Sequence, residues 1–439
     1  MSSQQPRKKS TEYFVETASF FLVTGSPVLI LFYWICYEFF ETSLSATVAA
    51  AQSEGILQFF STRLPCVDMP SILAYAIWTL FQAVLFTFLP GSLELGLPTP
   101  SGKRLSYKIN GLAAWVVTLG SMVVAHYTGL VPMTFIADHW EGLVWTVNIY
   151  SLVALVIFHL KAYCWPDSPE DDTSTGFFFT DFLNGIEFNP RFGKHWDIKH
   201  FHSTRAGGVI IWNVVDFAFA AAQYYSLGYL TNSMVLAVVL RLLVVLDFFA
   251  NEKWFIGTLD IAYEHFGFYY IYGYSAFMPV LYTLQAQYLY RHPESLSTLS
   301  IVLITVAWVA GWALTLWANY HKDITRESQG ECTIWGEKAK TITCSYQTAG
   351  GKTHKSQILY SGWWGVVRHA NYLGNIIFTY ALCATCGFQS VYPWTEAIFV
   401  TGVMVHRCLR DEKKCLSKYG AQWEEYCKRV PWRLIPGIF

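Results

Sequence analysis

The sequence predicts an all-α polytopic membrane protein of about ten transmembrane helices, with a small cytosolic β-hairpin between spans eight and nine. Three observations predict it. Hydrophobic residues make up 53% of the chain and charged residues 14%, where a soluble domain carries about 25% charged. The apolar residues are gathered into runs of spanning length, and mean hydropathy is +0.31. Lys and Arg fall almost entirely in segments that alternation places on one side of the membrane.

Residues 1–17 form a short polar N-terminus carrying Arg7, Lys8 and Lys9. The run from Ala18 to Tyr37 is long enough to cross and is followed by no small-residue cleavage site, so it reads as a retained first span. Further runs lie near 71–89, 111–127, 142–162, 207–227, 233–255, 266–290, 297–318, 373–388 and 392–406. Polar residues interrupt the fifth to seventh. With the N-terminus cytosolic, the loops beginning at 89, 163 and 319 and the C-terminal tail are cytosolic too, and they hold nearly all the basic residues. Arg63 and Arg291 remain outside, and Arg241 lies inside a span. The domain division expected is a half with spans one to five (18–232) and a chemistry-bearing half with spans six to ten (233–439).

Net charge of −1 gives no reason to expect a nucleic-acid partner. Of the ten cysteines only Cys66 falls clearly in a lumenal loop, which excludes a disulfide framework. WPDSPEDDT (165–173) reads as a solvated connector. TITCSYQTAGGKTHKSQILYSG, within the loop 319–371, alternates about a Gly-Gly turn and reads as the hairpin. There is no GxGxxG, HExxH or paired CxxC, and AGGK (349–352) lacks P-loop spacing. The single CxxC, Cys383–Cys386, reads as small residues packing between helices, so no metal site is expected.

Four stretches hold candidate chemistry. In VHRCLRDEKKCLSKYG (405–420), Arg407, Asp411, Cys415 and Lys418 or Tyr419 share one helical face. This is either a membrane-surface helix laced with salt bridges or a cytosolic mouth for a large anionic ligand. SGWWGVVRHANYLGN (361–375) offers Arg368, His369, Asn371 and Tyr372: a cation, two amide-like partners and a stacking ring. Trp363 and Trp364 also suit interfacial anchors, and Asn371 a helix cap. ANYHKDITR (318–326) sets Lys322 and Arg326 four apart, a pair suited to phosphate. The three lie on one side of the membrane and together suit a nucleotide with several phosphates. The fourth stretch, 241–269, places Arg241, Asp247, Glu252, Asp260, Glu264 and His265 among apolar residues. Such groups face a partner or a cavity. They read either as ion pairs holding helices or as a proton donor at the floor of an apolar pocket.

Two of these features carry a family resemblance. GFFFTDFLNGIEFNPR (176–191) is similar to G-x-x-L-Y-D-x-F-x-G-x-x-x-N-P-R, with Phe179 and Thr180 as departures, and VHRCLRDEKKCLSKYG matches throughout. The chain resembles the sterol reductase family of the endoplasmic reticulum. IWGEKAKTITCSYQTAGGKTHKSQILYSGWWGVVRH, LPTPSGKRLSYKINGLAAW, YTLQAQYLYRHP and VPWRLIPGIF point to its Δ7 branch, the 7-dehydrocholesterol reductases. The resemblance implies NADPH on the cytosolic side, contacted by Lys322, Arg326, Leu359, Trp364, Asn371, Tyr372, Asp411, Cys415, Leu416, Ser417, Lys418, Tyr419 and Tyr426. It implies reduction of the C7–C8 double bond of a 5,7-diene sterol drawn from the bilayer, within sterol and cholesterol biosynthesis. Glu252, Glu264 and Tyr269 are the donor candidates. It also implies an endoplasmic reticulum membrane location with both termini cytosolic, and association with other sterol-biosynthesis enzymes. Departures from the family pattern stand at His321, Ala250, Tyr274 and Asn375. Alternative readings are a Δ14-sterol reductase, an S-adenosylmethionine-dependent membrane methyltransferase, or a non-catalytic sterol-binding scaffold. Lys322 and Arg326 argue against a cofactor without phosphates, and the retained cofactor cluster argues against a scaffold.

Overall fold

The structure, a computed structural model, describes residues 5–347 and 353–439; AGGK and the Gly-Gly turn of the hairpin lie outside the described residues. The chain gathers into two compact units, Met1–Glu294 and Ser295–Phe439, a division at a different place from the halves expected by counting spans. Among the described residues, six helices are long and apolar enough to cross a membrane: Glu12–Phe39, Met69–Phe88, Trp140–Cys164, Ile198–Leu227, Asn232–Ala250 and Thr298–Glu327. Gly111–Tyr127 is a shorter apolar helix. The molecule is a helical membrane protein.

Local chemistry starts these helices where the sequence changes character. Asp68 accepts the Ser71 N–H at 2.6 Å to open Met69–Phe88. Ser297 accepts the Ser300 N–H at 3.1 Å to open Thr298–Glu327. Each satisfies one orphan donor of a first helical turn.

Three expected spans take another form. The run 266–290 is broken into Phe268–Tyr272, a wide π-type turn Gly273–Phe277, Met278–Leu281 and Leu284–Arg291. Pro279 lacks the N–H that a continuous helix needs. Ala370–Cys383 has 14 helical residues and tightens into a 3-10 turn through Cys386, both cysteines fully packed. The last apolar run and the charged segment after it are one continuous 25-residue helix, Thr395–Tyr419. Its polar half is thereby fixed as the extension of the apolar one.

The hairpin pairs Thr341–Gln347 with Thr353–Leu359, antiparallel, from Thr341↔Leu359 to Gln347↔Thr353. A second hairpin, Ser92–Pro98 with Arg104–Ile109, was not foreseen. The acidic stretch 165–173 is a largely exposed connector, as expected, but it is anchored at two of its carboxylates. Asp171 is buried and accepts from the Ser101 N–H at 2.6 Å and hydroxyl at 2.9 Å, and Asp167 pairs with Lys161 at 3.0 Å. Asp171 is held by a segment 70 residues away, and Asp167 by the end of the helix just before it.

In the second unit, Thr298–Glu327 and Ala370–Cys383 cross with backbones nearly touching. A Cβ on Gly311 would stand 2.7 Å from the Gly374 carbonyl oxygen, and one on Gly374 would stand 2.5 Å from that of Gly311. The Thr315 hydroxyl adds a hydrogen bond to the Asn371 carbonyl across the same crossing. Small residues permit this approach. Gly374→Val is therefore expected to force the helices apart and lower the melting temperature of the detergent-solubilised protein by several degrees, with Gly402→Val, where a Cβ meets nothing, as the neutral control.

Candidate functional site

The helix pair of the second unit carries four of the predicted cofactor residues, Lys322 and Arg326 on one helix and Asn371 and Tyr372 on the other. Lys322 and Arg326 fall one turn apart on Thr298–Glu327. The Lys322 ammonium lies over the Trp364 ring at 5.3 Å, and Trp364 is anchored by its indole N–H donating to the Ala318 carbonyl at 2.7 Å. Asn371 donates to the Asn319 side chain at 3.1 Å. Tyr372 donates its hydroxyl to Asp411 at 2.7 Å, joining Ala370–Cys383 to Thr395–Tyr419. Burial raises the Asp411 pKa, opposed by the Tyr372 hydrogen bond and the charges of Lys322, Lys414 and Arg407. Arg326 lies close enough to Cys415, Lys418 and Tyr419 for its charge to act on each. The Lys418 ammonium sits 3.9 Å from the ring of Tyr346, on the hairpin.

The arrangement is built to bind rather than to attack. Burial, with Asp411 nearby, pushes the Cys415 thiol up to about 12, so it is no thiolate nucleophile. His369 stacks on Tyr372 at 5.2 Å between centroids, and burial, then Arg368, Lys322 and Arg433, push its pKa down to about 3. It is a neutral imidazole. Its Nε2 and the Asn371 Oδ1 are buried without a partner among the described residues. Three cations, a carboxylate and two unpaired polar atoms fit a cofactor bearing phosphates and an amide.

Not every predicted contact joins this cluster. Leu416 and Ser417 are exposed, with the Ser417 hydroxyl turned back to the Lys414 carbonyl at 2.9 Å. Leu359 is buried with Ile334 and Ala339 beneath Trp364. Tyr426 is buried in the core with Cys344 and Trp423, and donates to the Trp364 carbonyl at 3.0 Å. Asn371 caps no helix; His369 precedes the helix, and Asn371 lies in its first turn. Sequence reading missed Glu412. It clamps Arg368 at 2.7 Å and Arg433 at 2.9 Å, backing the face that carries His369 and Tyr372.

In the first unit, Glu252 lies in a buried polar knot. It accepts from Arg205 at 2.9 Å and from the Gly111 backbone N–H at 2.7 Å, with His200 at 3.1 Å. Arg205 also donates to Asn110, which in turn donates to the Phe86 carbonyl at the end of Met69–Phe88. The Phe249 and Phe86 rings flank the guanidinium at 5.1 and 5.8 Å. These donors favour the ionised carboxylate. Glu264 is half-buried, its backbone carbonyl accepting from Lys199 at 2.6 Å, and Tyr269 is 42% exposed. The ion-pair reading of Glu252 holds, but its partners were missed because they stand in IKHFHSTRAGG, just ahead of an expected span. The clustered Lys199, His200, His202 and Arg205 were the available signal.

The model of the ergosterol biosynthesis ERG4/ERG24 family matches residues 7–439. The chain belongs to the ERG4/ERG24 sterol reductase family. It is 36% identical to the 7-dehydrocholesterol reductase of Xenopus laevis, over 99% of this chain and 95% of that protein. It is 37% identical to the 7-dehydrocholesterol reductase of Danio rerio, over 100% and 94%. The Delta(14)-sterol reductase of Dictyostelium discoideum is 33% identical, over 96% and 90%.

In this sterol reductase the signature stretch 176–191 does structural work. The Asp181 carboxylate accepts from the Ser174 hydroxyl at 2.6 Å, the Thr175 N–H at 2.8 Å and hydroxyl at 2.7 Å, and the Gly176 N–H at 3.2 Å. Glu187 pairs with Lys161 at 2.7 Å, Asn189 donates to the Tyr107 hydroxyl at 2.7 Å, and Arg191 pairs with Asp197 at 3.1 Å. Burial works to raise the Asp181 pKa, and the hydrogen bonds from Ser174, Thr175 and Gly176 outweigh it, so the folded carboxyl titrates below its usual range. A depressed folded pKa stabilises above the unfolded value and loses that stability as pH falls through the folded one. Asp181→Ala is expected to cost about 2–3 kcal/mol at pH 7, with the gap to wild type constant down to about pH 5 and closing below about pH 4, read by thermal melts across pH.

Proposed function

We propose that this sterol reductase uses NADPH to reduce the C7–C8 double bond of 5,7-diene sterols, in the endoplasmic reticulum membrane with both termini cytosolic. The observation that carries the reading is a run of neighbouring groups: Lys322 beside the Tyr372–Asp411 pair, Arg326 beside Lys322, and Lys418 beside Arg326. The names of the relatives at 36% and 37% identity supply the diene.

A sterol alkene or diene that bears no electron-withdrawing group accepts no hydride until it is protonated. Proton addition at C8 leaves an allylic cation over C5 to C7, and hydride addition at C7 restores a neutral sterol with its C5–C6 double bond. Bound NADPH supplies the hydride. Lys322, Arg326 and Lys418 would hold the phosphates, Trp364 and Tyr372 would offer flat faces, and Asp411, His369 and Asn371 would take polar groups of the sugar or amide. Glu264 and Tyr269 are the candidates to deliver the proton, directly or through water. Glu252, already accepting from Arg205, His200 and Gly111, serves as a fixed anion that orders the acid-bearing segment.

The test is to feed 5,7-diene and 8,14-diene sterols separately to a host strain lacking both reductases and to read the sterols by mass spectrometry. Loss of the C7–C8 double bond from the 5,7-diene is expected. Turnover of the 8,14-diene alone overturns the Δ7 assignment in favour of the Δ14 one.

A further inference from the structure

Residues 259–269, which carry Glu264 and Tyr269, hold little regular structure. After the helical turn Leu259–Ala262 the chain runs without helix or strand from Tyr263 to Gly267, and then enters Phe268–Tyr272. Main-chain groups of such a segment need partners where they are buried. Here the partners come from residues 173–199. The Phe266 N–H donates to the Glu187 carbonyl at 2.9 Å. Gly267 meets Gly185 backbone to backbone, so close that a Cβ on Gly267 would overlap the Gly185 nitrogen. The Thr173 hydroxyl and His265 Nε2 lie 3.2 Å apart, and the His265 and Phe188 rings meet edge to face at 5.1 Å.

A further partner is a cation. Asp197 opens the short helix Ile198–Phe201 by accepting the His200 N–H at 2.8 Å, and Lys199 stands in that turn, wholly buried. Its ammonium donates to the Ile261 carbonyl at 2.8 Å and to the Glu264 carbonyl at 2.6 Å, and lies 4.5 Å from the centre of the Phe188 ring. Taking an ammonium out of water costs several kcal/mol. Two carbonyls and a ring face offset part of that cost. An apolar side chain would fill the same space without it, but would leave both carbonyls bare. What the cation adds is therefore its grip on the main chain of 261–264. Lys199 has no part in the chemistry proposed above, yet one of its hydrogen bonds ends on a residue named there as a proton donor.

We infer that Lys199 is a positioning residue for proton delivery: its ammonium fixes the backbone at Ile261 and Glu264, and with it the place from which the acid-bearing segment presents its proton. The inference rests on the reading above, in which Glu264 or Tyr269 delivers that proton. Lys199 acts through the carbonyls it holds and needs no contact with the sterol or the cofactor. A shift of about 1 Å in a delivering group costs on the order of 100-fold in rate.

The test uses the full chain in nanodiscs with NADPH and a 5,7-diene sterol. It reads kcat per bound NADPH, together with the isotope effects of deuterated water and of NADPH deuterated at the transferable position. Lys199→Met removes the ammonium and keeps a stem. It is expected to lower kcat about 10- to 100-fold while the Kd for NADPH stays within about twofold of wild type. The solvent isotope effect is expected to rise and the cofactor isotope effect to fall toward unity, because proton delivery then limits the rate. Phe188→Leu keeps an apolar contact and removes the ring face, and is expected to lower kcat about two- to fivefold with the same isotope signature. Should Lys199→Met fail to fold, the Phe188→Leu result decides. An unchanged kcat overturns the inference. So does a kcat that falls only with the share of protein that binds NADPH, both isotope effects keeping their wild-type values. A wild-type chain that binds NADPH and leaves the diene intact removes the reading of the preceding section and this one with it. An active wild type with an indifferent Lys199→Met removes this one alone.

Discussion

Arg205→Met is expected to destabilise the protein by about 3–5 kcal/mol, because it leaves the Glu252 carboxylate buried beside an apolar side chain. Both side chains are wholly inaccessible, and the pair sits 2.9 Å apart. Removing one charge exposes the other to the full cost of its desolvation. The loss has structural reach: Arg205 also holds Asn110, and Asn110 closes the end of Met69–Phe88. The double variant Arg205→Met with Glu252→Met should be more stable than Arg205→Met alone, since no uncompensated charge remains. It should still fall short of wild type, because Gly111 and His200 lose their acceptor. Melts of the four proteins give the coupling directly. Equal stability of wild type and Arg205→Met would remove the knot from the account.

Lys322→Met is expected to raise the Kd for NADPH about 10- to 100-fold with little change in melting temperature, the span that follows from losing a charge-assisted contact. Methionine keeps a stem that can lie on Trp364, so the change isolates the charge. Arg326→Ala should cost less, since Arg326 is exposed and its charge is screened. The Lys322 effect should shrink for a cofactor fragment without phosphates. Fluorescence or calorimetric titration of NADPH checks the ranking, and an unchanged Kd in Lys322→Met would place the phosphates elsewhere.

Periodicity and charge made part of this legible. Lys322 and Arg326 announce a common face because a helix repeats every 3.6 residues, and the face survives in the fold. Arg407, Asp411 and Cys415 likewise fall on one helix, which continues unbroken from the apolar run before it. What stayed hidden is pairing across distance. Tyr372 meets Asp411 from 39 residues away, and Arg205 meets Glu252 from 47, and no local pattern specifies such partners. Hydropathy alone also passed over Pro279, so a broken segment read as one span. The stretch 165–173 is largely exposed as read, and what its sequence did not announce is the anchoring of Asp171 by Ser101, 70 residues away. The hairpin of Ser92–Pro98 and Arg104–Ile109 was readable from the alternation in LELGLPTPSGKRLSYKI, with Gly and Pro at its turn.

The central claim is that a phosphate-bearing hydride donor and a protein-delivered proton together saturate one double bond of a diene. The purified protein in nanodiscs, given 7-dehydrocholesterol and NADPH deuterated at the transferable nicotinamide position, tests it most directly. The account predicts a singly deuterated sterol labelled at C7, and, with unlabelled cofactor in deuterated water, a single label at C8. A reduced sterol without cofactor-derived deuterium, or a 5,7-diene left intact, would contradict it.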